Sequence, residues 1–147
     1  MTGDEKLFRP RGKPTILIVE DNSSLATCLE MLLETHGYEV WRTIDGSGGL
    51  ESMKLKDFDV VLCDLVMPGL CGDILHAAVS LFKPHLCERF IFMSGQLENL
   101  PEVEGDTCMG RPILRKPFAA EQLLQAIQDV LQSGPSEPTS PKRALTK

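Results

Sequence analysis

The sequence predicts an α/β fold in which a five-stranded parallel sheet carries helices on both faces. Short, almost wholly apolar segments alternate along the chain with segments of helical periodicity. Apolar runs of this kind are typical of strands buried on both sides of a parallel sheet, and the alternation is typical of βα units. The length of 147 residues fits one such domain with a substantial core.

The first strand is predicted at residues 15–19, where the chain reads TILIV. A helix follows, because Asn22-Ser23-Ser24 provides an N-cap and Gly37 provides a residue that readily adopts a left-handed C-terminal cap. The apolar stripe of this helix consists of Leu25, Leu29, Leu32 and Leu33. Residues 38–41 then predict a second, short strand.

The remaining elements alternate in the same way. Residues 45–54 predict a helix weakened by glycines, and residues 73–82 predict a better helix that Pro84 ends. The last helix has an apolar stripe from Leu123 to Leu131. Three further strands are predicted at residues 60–63, 90–93 and 113–115.

Two kinds of segment lack a helical or strand pattern. Pro101, Gly105 and Gly110 interrupt residues 97–110, so a helix there is predicted to be short, displaced or mobile. Residues 1–13 predict a flexible leader, and residues 133–147, rich in Pro, Ser and Thr, predict a disordered tail or linker. The folded domain is therefore expected at residues 14–132.

Acidic residues end two of the predicted strands. Glu20 and Asp21 follow the first strand, and Asp64 closes the strand VVLC. The carboxyl ends of parallel strands form the edge where open α/β folds place their ligands. Three carboxylates meeting there repel one another unless a cation lies among them, so the pattern predicts a divalent ion bound by oxygen. Magnesium is the expected ion, with manganese as a substitute.

A hydroxyl and an ammonium group occupy the ends of two further strands. Ser94 follows Phe90–Met93, and Lys116 follows Ile113–Arg115. With the acids, these residues resemble the receiver domain of two-component response regulators, the family typified by the bacterial chemotaxis regulator. The spacings from Asp64 to Ser94 and from Ser94 to Lys116 also match that family. The resemblance implies a flavodoxin-like, doubly wound sheet with strand order 2-1-3-4-5.

The resemblance also implies a role for each matching residue. Asp64 corresponds to the phosphoacceptor, and the metal is expected on Glu20, Asp21, Asp64 and the backbone carbonyl of Val66. Ser94 and Lys116 correspond to the residues that bind the phosphoryl group and begin the conformational switch. Two positions that modulate the lifetime of the acyl phosphate are Val66 and Gln96. Ile113 departs from the family, which has an aromatic switch residue at that position.

The function expected from this resemblance is that of a regulatory phosphoacceptor rather than an enzyme. A histidine kinase or a histidine phosphotransfer protein would supply the phosphoryl group, and an output partner, or a phosphorylation-dependent dimer, would respond. The chain would be a stand-alone regulator or the receiver of a hybrid histidine kinase. Two alternatives are an interaction module that works without phosphorylation and an aspartate-nucleophile phosphatase. The phosphatase needs a second Asp where Val66 stands.

Composition agrees with a signalling domain of the cytoplasm. The net charge of −6 offers no field for nucleic acid, and no basic stripe runs along a predicted helix. The five cysteines show no metal-binding spacing, which favours reduced thiols. No apolar run has the length of a membrane span. We therefore expect a cytoplasmic protein with neither a nucleic-acid nor a membrane partner.

Overall fold

The computed structural model describes residues 12–95, 103–104 and 107–133. The predicted leader and tail lie almost entirely outside these residues, as does Gln96. The strands are β1 (Thr15–Val19), β2 (Glu39–Thr43), β3 (Val60–Asp64), β4 (Phe90–Ser94), β5 (Val103–Glu104), β6 (Thr107–Cys108) and β7 (Arg111–Arg115). The helices are α1 (Ser23–Thr35), α2 (Gly46–Leu55), α3 (Gly72–Val79) and α4 (Ala120–Gln132).

The parallel part of the sheet has the predicted order. Its strands run β2-β1-β3-β4-β7, which corresponds to 2-1-3-4-5 when only parallel strands are counted. The central strands β1, β3 and β4 are buried almost throughout, as their apolar sequences predict. The edge strand β2 is mostly exposed or half-buried and is correspondingly more polar. The α/β fold is therefore confirmed.

Helices cover both faces of the sheet, because alternate residues of each strand point to opposite sides. Leu17, Val61 and Phe92 form one core layer with α2 and α3. Ile18, Leu62 and the other alternate residues form the second layer with α1 and α4. Among the described residues, no helix is long and apolar enough to cross a bilayer.

The prediction of a short, displaced or mobile helix at residues 97–110 is wrong for residues 103–104 and 107–110, and the rest of the segment lies outside the described residues. The described part of this segment consists of strands, because β6 pairs antiparallel with β7 and β5 pairs antiparallel with β6. Met109 and Gly110 have φ values of 55° and 79° and form the two-residue turn between β6 and β7. Two positive φ angles match the twist of a hairpin. Within the part of the chain that the structure describes, the sheet thus has seven strands instead of five.

Several predicted boundaries shift by a few residues. Helix α3 ends at Val79 rather than at residue 82, and Pro84 begins a 3₁₀ helix, Pro84–Arg89, instead of simply ending α3. Proline suits the first turn of a helix, where its missing N–H has no partner to lose. The cap of α1 is as predicted, since the Asn22 side chain accepts a hydrogen bond from the Leu25 amide at 3.0 Å. Gly37 follows α1 with a φ of 92°.

Candidate functional site

Neighbouring strands end together at the carboxyl edge of the sheet. Val19 lies beside Cys63, Asp64 beside Met93 and Ser94 beside Arg115. The residue after β1, the last residues of β3 and β4, and the residue after β7 are therefore level with one another. These four residues are Glu20, Asp64, Ser94 and Lys116. The strand register thus assembles residues that are far apart in the sequence.

Lys116 joins two of the acids directly. Its Nζ donates to Glu20 Oε1 at 2.9 Å and to Asp64 Oδ2 at 3.0 Å. The Lys116 amide also donates to the Ser94 carbonyl at 2.8 Å, which fixes the start of this loop against β4. Burial acts to lower the pKa of Lys116, but the hydrogen bonds to Glu20 and Asp64 outweigh this effect, so the pKa is raised. Lys116 is therefore a charged ammonium at the floor of the site.

Glu20 is a buried carboxylate with both oxygens engaged. Its side chain is 1% exposed, and Oε2 accepts the Asn22 amide at 3.0 Å while Oε1 accepts Lys116. Burial raises the pKa of Glu20; the hydrogen bonds from Lys116 and Asn22 offset part of this rise, and the nearby charge of Asp64 adds to it. Glu20 is therefore held rigidly, and its ionised form depends on nearby positive charge.

Three carboxylates form a cluster that fits a hard divalent cation. Oxygens of Glu20, Asp21 and Asp64 all lie within 4.8 Å of one another. When all three are ionised, the Lys116 ammonium, which contacts Glu20 and Asp64, balances one of their three negative charges. Asp21 is exposed and Glu20 and Asp64 are buried, so an ion could enter from the Asp21 side. Oxygen-only ligands of this kind suit magnesium.

The loop after β3 holds the Asp64 side chain in place. Asp64 Oδ1 accepts the Val66 amide at 3.2 Å, and the Leu65 amide donates to the Met93 carbonyl at 2.8 Å. The Val66 side chain points outward and is 43% exposed. An apolar side chain at this position can neither donate a proton nor orient a water molecule.

Gly72 brings the start of α3 against the backbone of this loop. Its amide donates to the Leu65 carbonyl at 3.1 Å. A Cβ added at Gly72 would lie 2.5 Å from the Asp64 carbonyl oxygen and 3.0 Å from the Leu65 Cα. These neighbours are backbone atoms, so a side chain here has to displace the loop that carries Asp64.

Gly72→Ala is therefore expected to destabilise the protein by about 1–3 kcal/mol, the usual cost of overpacking. Chemical denaturation of the variant and of the natural protein measures the difference. Gly95→Ala is the matched control at the same edge, since its added Cβ would meet only the Lys116 Cβ at an ordinary 3.7 Å. Equal stabilities of the two variants would contradict the close approach at Gly72.

Ser94 and Ile113 lie on adjacent strands that continue into the site. Ser94 closes β4 and is 1% exposed. Ile113 pairs with Phe92, two residues before Ser94, and belongs to the core layer under α2 and α3. Ile113 is therefore a buried packing residue. The structure brings Glu20, Asp21, Asp64, Ser94 and Lys116 to one edge of the sheet.

Two residues support the site although sequence analysis gave them no such role. Asn22 was predicted only as a helix cap, but its backbone amide also binds Glu20. Gly72 was not predicted to matter. A glycine eight residues after Asp64 and directly before a predicted helix was a weak signal, because the need for glycine arises only from the close contact in three dimensions.

Comparison with known proteins agrees with this geometry. The family described as "Response regulator receiver domain" matches residues 16–128. The transcriptional regulatory protein DltR of Streptococcus agalactiae is 31% identical over 113 residues, which cover 77% of this chain and 50% of DltR. This chain therefore corresponds to about half the length of that relative.

Solved receiver structures have the same fold. The chemotaxis protein CheY4 of Vibrio cholerae aligns with a TM-score of 0.71 and 27% identity, covering 81% of this chain and 99% of CheY4. The receiver domain of the sensor histidine kinase PA1611 from Pseudomonas aeruginosa aligns with a TM-score of 0.73 and 25% identity, covering 82% and 99%. That structure has a magnesium ion coordinated in its active-site cleft. From its family match, its fold and the residues at its sheet edge, the chain belongs to the response regulator receiver domain family.

Proposed function

We propose that the chain accepts a phosphoryl group on Asp64 from a phosphohistidine donor and changes conformation in response. The proposal rests on one observation: the Lys116 ammonium lies between Asp64 and Glu20, and Asp21 lies beside them. Phosphoryl transfer depends mainly on alignment and on neutralising the charge of the transferring oxygens. The site contains one positive charge, the Lys116 ammonium, and the carboxylates that could bind a second cation.

The proposed reaction balances within the site and its donor. A carboxylate oxygen of Asp64 bonds to phosphorus while the bond from phosphorus to the donor's imidazole nitrogen breaks, and the imidazole keeps the electron pair. The product is an acyl phosphate. Lys116, already 3.0 Å from Asp64 Oδ2, is placed to pair with the new phosphoryl oxygens. Ser94, level with it at the end of β4, would hydrogen-bond to them next.

Magnesium, with manganese as a substitute, is the cation we propose for the acidic cluster. Asp21, Asp64 and the Val66 carbonyl would hold it directly, and Glu20 would act mainly through water, since magnesium keeps several of its waters. When bound, the ion supplies positive charge that stabilises the transferring phosphoryl group.

The partner that follows from this chemistry is a histidine kinase or a histidine phosphotransfer protein. The receiver domain of the sensor histidine kinase PA1611 aligns along 99% of its length. The proposal therefore includes both a stand-alone regulator and the receiver of a hybrid histidine kinase. The expected response is a changed contact with an output partner or a phosphorylation-dependent dimer. The exposed apolar side chain of Val66 disfavours the phosphatase alternative, which needs a proton donor there.

Incubation with phosphoramidate and magnesium should add the mass of one phosphoryl group to the intact protein. The added mass should disappear on treatment with hydroxylamine, which cleaves acyl phosphates, and should not form when a chelator removes magnesium. Asp64→Asn should not gain this mass. Asp57→Asn is its matched control, because Asp57 is an exposed acid that pairs with Lys83 instead of with Lys116. The control should label like the natural protein. Absence of labelling, or a label stable to hydroxylamine, would overturn the proposal.

A further inference from the structure

His76 is a buried titratable residue that the phosphoryl chemistry does not use. It belongs to α3 and is only 8% exposed. Its ring centroid lies 4.8 Å from that of Phe90 and 5.7 Å from that of Phe92, both in β4. The imidazole therefore fills the space between α3 and the strand that ends at Ser94.

The hydrogen bonds of His76 show which form of the ring fits. Nε2 lies 3.2 Å from the Cys87 carbonyl oxygen in the 3₁₀ helix, and a carbonyl can only accept, so Nε2 carries the proton. Nδ1 is then an unprotonated acceptor. It is buried and has no hydrogen-bond partner within the described part of the chain. A second proton would have to enter at Nδ1, where no acceptor stands.

The groups around His76 also disfavour a positive charge. A cavity of about 390 Å³ adjoins the ring, and the charged side chains among its described lining residues are Arg89, Arg111 and Glu88. Burial raises the pKa of the Cys87 thiol to about 11, so this neighbour is neutral. Phe90 and Phe92 carry no charge. The cavity is completed by the hairpin residues Met109 and Gly110 and by Ser133 of the α4 cap.

We propose that His76 is an acid-sensitive latch that fastens α3 to the 3₁₀ helix and β4, beside the β6–β7 hairpin, only while its imidazole is neutral. When α3 separates from the 3₁₀ helix and β4, water reaches the imidazole, which can then gain its second proton. Because Phe90 and Phe92 belong to β4, acid would loosen the strand that carries Ser94 at its other end. The contacts of His76 include no residue of the proposed phosphoryl or metal site.

The direction of the pH effect follows from the burial of the ring. Burial lowers the pKa of His76; the Cys87 carbonyl opposes this, and the charge of Arg111 adds to the lowering. The open state therefore takes up the proton at a higher pH than the closed state. The latch contributes its full stability above the ordinary pKa near 6.5 and loses it as pH falls toward the lower pKa of the closed state.

Ring-resolved NMR titration of the full chain between pH 8 and pH 5 tests the latch. His76 should titrate below the ordinary histidine pKa near 6.5, or α3 should first separate from β4, seen as a loss of hydrogen-exchange protection at Phe90 and Arg111. In chemical denaturation, the unfolding constant of the natural protein should rise as pH falls, relative to the unfolding constant of His76→Gln at the same pH. The rise should reach up to about tenfold for each pH unit between the two pKa values.

Two further variants keep the test decisive. His85→Gln, which removes a half-exposed histidine paired with Asp57, should leave the titration of the His76 ring as it is in the natural protein. His76→Phe replaces His76→Gln if the latter does not fold, and should give the same flattened profile. A His76 ring that titrates at its ordinary pKa without loss of protection would overturn the proposal, as would His76 variants that keep the natural pH dependence.

Discussion

Replacing Lys116 with methionine is expected to destabilise the metal-free protein by about 2 kcal/mol at pH 7, because it strands the Glu20 carboxylate in the core. The Glu20 side chain is 1% exposed, and its Oε1 forms an ion pair with Lys116 Nζ at 2.9 Å. Breaking a buried pair usually costs somewhat more than this, but the Lys116 side chain is 23% exposed, and solvent screens part of the interaction.

The destabilisation should be greatest at neutral pH. Burial already raises the pKa of Glu20, and Lys116 is the main group that lowers it. Without Lys116 the pKa of Glu20 rises further, so the folded variant takes up a proton on Glu20 at a higher pH than the natural protein does. A carboxyl with a raised folded pKa contributes stability that is present below its unfolded pKa and lost as pH rises. The deficit of Lys116→Met should therefore shrink as pH falls toward the ordinary carboxyl range.

Urea denaturation across a pH series measures this deficit, and two other variants identify its cause. The double variant Glu20→Gln/Lys116→Met removes the stranded charge and should recover much of the loss. Lys83→Met is the matched control, because Lys83 is also 23% exposed but pairs with Asp57, which is 61% exposed. The control should lose less than about 1 kcal/mol. Equal stabilities of Lys116→Met and Lys83→Met at pH 7 would show that Lys116 does not stabilise a buried Glu20 carboxylate.

Asp21→Asn is expected to weaken magnesium binding at least about tenfold, since magnesium uses few protein ligands and Asp21 is the exposed one of three. The same change relieves repulsion among the acids, so the metal-free variant should be as stable as the natural protein or more stable. Magnesium should raise the stability of the natural protein by about 1.4 kcal/mol when its concentration is ten times the dissociation constant. In the variant, at the same magnesium concentration, this gain should fall to about 0.4 kcal/mol or less.

Calorimetric titration with magnesium and thermal denaturation with and without the ion check both signs. Glu34→Gln is the matched control, because Glu34 is an exposed acid on α1, far along the helix from Asp21. It should behave like the natural protein. Magnesium affinity that survives in Asp21→Asn would place the ion outside the acidic cluster.

The sequence was sufficient to predict the parallel sheet and the residues at its edge. Strands such as Ile16–Val19 and Val60–Cys63 are apolar at every position, so their burial on both faces can be read directly. A polar residue that ends such a strand must then lie at the edge of the sheet. This reasoning located Glu20, Asp64, Ser94 and Lys116 without any knowledge of their contacts.

The sequence could not reveal features that depend on contacts across the fold. The hairpin at Met109 and Gly110 places a methionine at a positive φ, which local sequence preferences do not predict. Prolines and glycines in that segment argued against a helix but did not indicate strands. The need for glycine at position 72 depends on the Asp64 backbone, and the burial of His76 depends on Phe90 and Phe92, which lie far along the chain.

Reductive trapping identifies the residue that carries the phosphoryl group. Borohydride converts an aspartyl phosphate to homoserine, so the natural protein should be phosphorylated with acetyl phosphate and magnesium, reduced, digested and sequenced by mass spectrometry. We expect homoserine at position 64, with Glu20 and Asp21 unchanged. Homoserine at position 21, reduction of Glu20, or a position 64 that remains aspartate in phosphorylated protein would show that Asp64 is not the phosphoacceptor.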